Sequence, residues 1–109
     1  MMQRGDIWIA TGNDGFSGKP APFVIVQRSL AIPMRQSIIV CRVTSVLDDA
    51  TLFRLRIEPS QENELEKPSS ISVDKVLTLK KSNLTHRIGR IADIEMQNLD
   101  HLLRFWLGL

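Results

Sequence analysis

The chain has 109 residues, a formal net charge of +2 from 14 Lys and Arg against 12 Asp and Glu, and 43% hydrophobic against 24% charged residues. That balance describes one ordinary globular domain with a single modest core, and it excludes a disordered tail. No apolar run approaches the roughly 18 residues of a membrane span, and the opening MMQRGDIW has no signal-peptide apolar stretch, so a cytoplasmic protein with no membrane partner is expected.

Short runs of β-branched or alternating apolar residues are bounded by turn-forming clusters, the pattern of strands. They are GDIWIA (5–10), FVIVQR (23–28), SIIVCRVT (37–44), LFRLRIE (52–58), SISVDKVLTL (70–79) and a short RIGRI (87–91). The segments TGNDGFSGKPAP, SVLDDA and PSQENELEKPS between them are loop-like. TGNDGFSGKP leads into a strand, so its glycines serve flexibility or positive φ rather than a nucleotide. Cys41 is the single cysteine and lies in an apolar run, which reads as a small buried core residue in a reducing compartment.

At the end of the chain the period changes. In DIEMQNLDHLLRFWLGL, Met96, Leu99, Leu102, Leu103 and Trp106 recur at three- and four-residue spacing, with Asp93 and Glu95 in the first turn and Gly108 as a stop. This predicts one amphipathic helix over about 93–107. The fold class is therefore mainly β with one helix, a small, strongly bent antiparallel sheet or partial barrel covered by that helix.

The two histidines, His86 and His101, stand in no cluster at metal-ligand spacing, and neither a phosphate-binding glycine loop nor a GxSxG elbow is present. What remains is polar residues at strand ends: Lys19, the pair Thr44-Ser45 and the pair Asp74-Lys75. Turn formation and solvated charge account for each of these taken singly. Asp74, in the middle of an apolar strand, is the least comfortable, since a buried unpaired carboxylate is costly. From Lys75 to Arg90 there are five basic residues, a histidine and no acid, while acids concentrate between Glu58 and Glu66. Such a stretch is either a solvated basic face or a surface that meets phosphates.

Taken together and in order, RGDIWIA, GKPxPFVIVQ, VTS, EPSQENELEKPSSISVDKVLTL, LTHRIGRI and a final helix ending LGL resemble the MazF/PemK family of toxin–antitoxin ribonucleases. The resemblance runs from Arg4 to Leu109. It implies an SH3-like barrel shared with the gyrase poison CcdB, a homodimer, a cognate antitoxin partner, and cleavage of single-stranded RNA such as mRNA without metal or cofactor. In that chemistry a ribose 2′-OH attacks the adjacent phosphate, leaving a cyclic phosphate and a free 5′-OH. Proton transfer and dense positive or N–H character around the phosphorane are required.

Carried over position by position, the resemblance implies roles for Thr44 and Ser45 at the phosphate and for Asp74 in orienting the site or reading a base. Lys19, Lys75, Lys80, Lys81 and Arg87 are the expected RNA-binding cations. The family arginine before the strand proline falls on Ala21, beside Pro22, and a second arginine of some members falls on Ser72. An alanine between two prolines has no evident structural advantage in a loop, so Ala21 reads as an inactivating substitution. Loss of one transition-state donor costs about 10²–10³-fold in rate. Alternatively, Lys19 or Lys75 takes over the charge, or the chain is a natural member that binds without cutting. Two further readings stand beside the ribonuclease: a CcdB-like gyrase poison, suggested by Trp106 and Gly108 in RFWLGL, and a non-catalytic RNA-binding barrel.

Overall fold

The computed structural model describes residues 1–11, 19–47 and 52–109; residues 12–18, which hold the glycines of TGNDGFSGKP, and residues 48–51 lie outside the described residues. Six strands are formed: β1 (Asp6–Ala10), β2 (Ala21–Ile25), β3 (Ser37–Thr44), β4 (Arg54–Ile57), β5 (Ser69–Lys80) and β6 (Leu84–Arg90). One helix, α1 (Asp93–Leu107), follows, and 3-10 turns occupy Ser29–Met34 and Lys81–Asn83. The strands make one antiparallel sheet in the order β4-β5-β3-β2-β1-β6.

Side chains alternate across a strand, and here both faces carry apolar residues, so the sheet has two cores. On one face Ile7, Val24, Cys41, Val43 and Ile71 pack with Leu99 and Leu103 of α1. On the other, Phe23, Ile25, Ile38, Val40 and Leu79 pack with Ile32 from the first 3-10 turn. At the Thr44 end of this second face the residues turn polar, with Arg42, Thr44, Ser70 and Ser72, and among the described residues no helix covers them.

β5 serves both cores because it is bent. Cys41 pairs with Val76 but Arg42 pairs with Ser72, so Val73, Asp74 and Lys75 form an insertion opposite one step of β3. Such a bulge leaves residues unpaired and kinks the strand. This is where the sequence places its uncomfortable carboxylate: Asp74 sits in the kink, not in the regular ladder.

The helix matches its predicted bounds. Its first turn carries Asp93 and Glu95, and Gly108 ends it at φ 75°, the left-handed geometry glycine adopts freely. Of the predicted stripe, Leu99 and Leu103 are buried, while Trp106 is half exposed and lies with its ring 5.3 Å from that of Phe53. Arg4 ties three elements together, donating from Nε to the Val26 carbonyl at 2.8 Å and pairing with Asp100 of α1 at 2.6 Å.

Several element boundaries differ from expectation. β4 is shorter than 52–58, and β6 begins at Leu84 rather than at 87. Ser29–Met34 forms a 3-10 turn too short to leave a periodic signature. β2 starts at Ala21 and stops at Ile25, so Ala21 is not a loop residue: it is buried and pairs with Ala10 of β1. A small side chain at that point fits the core, which corrects the expectation that alanine has no structural use there. Pro22 is tolerated in an interior strand because β3 pairs with β2 only from Phe23 onward, so no ladder bond is missing.

Candidate functional site

One row of direct cross-strand partners crosses the whole sheet on its second face: Arg87, Trp8, Phe23, Arg42, Ser72 and Arg54. Direct partners share a face, so Arg42 rises between an aromatic neighbour and a serine. Its guanidinium carbon stands 5.6 Å from the Phe23 ring centre. The next row holds Thr44, opposite Ser70, which in turn faces Arg56.

Two open hollows flank this part of β3 and share Arg42, Thr44 and Val46. The larger, about 570 Å³, is floored by Ala21, Arg42, Thr44 and Ser45 and walled by Glu64, Glu66 and Lys67. The smaller, about 280 Å³, adds Arg54, Ser72 and Lys75. Thr44 Oγ1 accepts the Val46 N–H at 3.1 Å; a hydroxyl has a second lone pair and its own hydrogen, so it can still donate into the hollow.

The acidic wall is not a loose loop. Asn63 is fully buried. Its Oδ1 accepts from Ser60 N and Leu65 N, each at 2.9 Å, and its Nδ2 donates to the Glu58 carbonyl at 2.8 Å. Glu64 takes a left-handed backbone at φ 51°, a conformation that costs free energy in a non-glycine residue and persists where its surroundings enforce it. The Glu62 carbonyl accepts Arg90 N–H at 2.9 Å, so the segment after β4 is fastened to β6 at the other edge of the sheet. Glu64 and Glu66 of this segment line the larger hollow together with Thr44 and Ser45.

The structure brings Ala21, Thr44 and Ser45 together and places Lys75 across the smaller hollow from Arg54. Lys19 is exposed just before β2. Asp74 lines neither hollow; one of its carboxylate oxygens is enclosed without a hydrogen-bond partner among the described residues, and its charge reaches Cys41 on the helix-covered face. Arg87 pairs with the buried Asp6 carboxylate at 3.2 Å. Lys80 and Lys81 lie elsewhere. They share a separate hollow with Arg35 and Ser37, at the opposite end of β3 from Thr44. Seven residue steps of a strand put the two ends about 23 Å apart. Among the described residues no three His, Cys, Asp or Glu side chains gather into a metal site.

Residues 3–107 match the model of the PemK-like, MazF-like toxins of type II toxin–antitoxin systems. The chain belongs to this family. It is 40% identical over 108 residues to a protein of Mycolicibacterium smegmatis named "Probable endoribonuclease MazF", covering 99% of this chain and 98% of that one. Among solved structures, an endoribonuclease in complex with its cognate antitoxin from Mycobacterial species superposes with a TM-score of 0.83 at 16% identity, over 100% of this chain and 97% of the other. The Mycobacterium tuberculosis toxin MazF-mt6 gives 0.81 at 21% identity, over 95% and 97%. At these identities the two superpositions speak for the fold, which is the one expected of MazF/PemK toxins.

Three features of this family member were missed by sequence reasoning. Arg42 sits inside an apolar run and Arg54 inside an alternating strand, and only the register sets them beside Thr44. The alternation of SIIVCRVT does put Arg42 on the face of Thr44 and opposite to Cys41, a signal that was available. Glu64 and Glu66 fall in a segment whose composition says only loop; nothing in it announces the Asn63 clamp.

Proposed function

We propose that this toxin is a cytoplasmic endoribonuclease, a single domain that cleaves single-stranded RNA such as mRNA, works as a homodimer, and is restrained by a cognate antitoxin. The observation that carries the reading is the convergence, in one hollow of a MazF/PemK-family chain, of hydroxyls, a guanidinium and carboxylates. In the cleavage step the ribose 2′ oxygen attacks the adjacent phosphorus and the bond from phosphorus to the 5′ oxygen breaks. The products are a cyclic phosphate and a 5′-OH.

Thr44 and Ser45 donate hydrogen bonds to the phosphate oxygens. One of the wall carboxylates, Glu64 or Glu66, accepts the 2′-OH proton, and the leaving 5′ oxygen is protonated by solvent water, the carboxylic acid then returning its proton to solvent. General acid–base help of this kind contributes about 10²–10⁴-fold. The smaller hollow, with Arg54 and Lys75, receives a neighbouring phosphate of the strand, where charge matters more than geometry. Lys19 and Arg87 border the same face, whereas Lys80 and Lys81 meet only an RNA long enough to reach the far end of the sheet. An acidic antitoxin segment lying in the basic groove blocks RNA entry.

The test is cleavage of a labelled single-stranded RNA in EDTA, with the new ends identified by their acceptance of phosphate from a polynucleotide kinase. Cutting to 5′-OH ends, reduced about 10²-fold or more by Thr44→Val, is the expected result. RNA that is bound but never cut would mean a non-catalytic barrel. Absence of both binding and cutting would remove the ribonuclease reading altogether.

A further inference from the structure

We propose that Arg42 is the guanidinium that grips the phosphate undergoing cleavage, so that the site is complete without a charged residue at position 21. This rests on the ribonuclease reading above. Arg42 and Thr44 lie two residues apart on one face of β3, about 7 Å along the strand, and both line the two hollows. A phosphate hydrogen-bonded to Thr44 in the larger hollow is within reach of a side chain as long as arginine.

The side chain is also held in place. The guanidinium carbon of Arg42 stands 5.6 Å from the ring centre of Phe23, and Phe23 is fully buried in the second core. Arginine stacked on a fixed aromatic surface loses less freedom on binding, and its planar fork matches two phosphate oxygens at once. Lysines offer less here. Lys67 belongs to the wall and Lys75 to the smaller hollow, and each presents a point charge on a flexible stem.

Electrostatics requires a cation at this point. Glu64 and Glu66 face the same space, and they repel an incoming phosphodiester unless a fixed positive charge stands between. Among the described residues, Arg42 is the one arginine lining that hollow. As the 2′ oxygen bonds to phosphorus, charge builds on the two non-bridging oxygens, and the fork of Arg42 holds that charge while the bond to the 5′ oxygen breaks.

Single-turnover cleavage of a labelled single-stranded RNA in EDTA tests the assignment, using the parent chain, Arg42→Ala, Arg42→Lys, Ala21→Arg and the double variant Ala21→Arg/Arg42→Ala. Circular dichroism and thermal melts establish that each is folded, and Arg42→Lys keeps the aliphatic stem over Phe23. Arg42→Ala is expected to lower kcat by roughly 10²–10³-fold with little change in KM, and Arg42→Lys to recover only a minor part of it. Arg54→Ala, by contrast, should raise KM and flatten its salt dependence. Ala21→Arg should raise the rate far more in the Arg42→Ala background than in the parent, the non-additivity of two groups serving one phosphate. The same gain in both backgrounds, or an Arg42→Ala variant as fast as a parent that cleaves, overturns the role of Arg42 and leaves the ribonuclease reading standing. A parent inactive where Ala21→Arg cuts also overturns it, while failure of every variant to cut overturns both.

Discussion

The backbone of Asn63 occupies the space that a side chain on Gly89 would need. A β-carbon there would lie 2.4 Å from the Glu62 carbonyl oxygen and 2.7 Å from the carbonyl carbon and oxygen of Asn63. These are backbone atoms of a segment already fixed by the Asn63 side chain, so they cannot swing aside as a flexible side chain would. Gly89 is therefore the point at which the acidic wall of the site is seated on β6.

Gly89→Ala should lower stability by about 1–3 kcal/mol, the range for forcing atoms into a packed region, read as a shifted urea midpoint. If the wall supplies the proton acceptor, the folded fraction of the variant should also cut RNA more slowly, since Glu64 and Glu66 move with the segment. An unchanged urea midpoint would mean that the segment is not seated on β6 as described.

The strands and the helix were legible because their cause is local: alternation, β-branching, a 3.6-residue stripe and a glycine stop are all written in consecutive residues. Ala21 reads as loop because Pro20 and Pro22 flank it, and only the absent β3 partner at that point explains why the strand that starts at Ala21 can pass through Pro22. Asp74 was flagged by the right physics, the cost of a carboxylate in a strand, but the remedy is a three-residue bulge that depends on how β3 and β5 pair. The Thr44-Ser45 pair was readable by resemblance. Arg42 is set on the face of Thr44 by the alternation of β3, but its place beside Phe23 and Ser72 comes from strand pairing, and Glu64 meets Thr44 across about 20 residues of chain, which no local pattern encodes.

The N-terminus of α1 is half capped. Glu95 accepts the Ala92 N–H at 2.8 Å, closing one arm of a capping box, but Ala92 has no side-chain oxygen to accept a helix N–H in return. Its backbone, φ −68° and ψ 157°, already has the extended geometry of an N-cap. Ala92→Ser should therefore stabilise the protein by about 0.5–1 kcal/mol, measured by thermal or urea melting. Glu95→Ala should lose a comparable amount, and in that background the gain from Ala92→Ser should persist. A serine that destabilises would show that the half-buried Ala92 side chain has no room for a hydroxyl.

Cys41 makes the stability of the fold depend on pH. The thiol is fully buried in the core beneath α1, and burial pushes its pKa from 9.0 up to about 12; Arg4 draws it down and Asp74 adds to the rise, both by smaller amounts. In the unfolded chain the thiol ionises near its ordinary value, while in the folded chain it stays protonated well above it. The folded state thus holds the extra proton between the two values, so stability is intact below about pH 9 and falls as pH rises toward 12. The slope from this group is roughly 1.4 kcal/mol per pH unit once the unfolded thiol is fully ionised. The comparison that isolates this group is with Cys41→Ala. That variant should be less stable at pH 7, through the lost packing, yet show a shallower decline above pH 9. Native Cys41 should also resist alkylation by iodoacetamide at pH 8 and react on addition of urea. Parallel declines for the two proteins, or rapid labelling of the native thiol, would contradict the burial assigned to it.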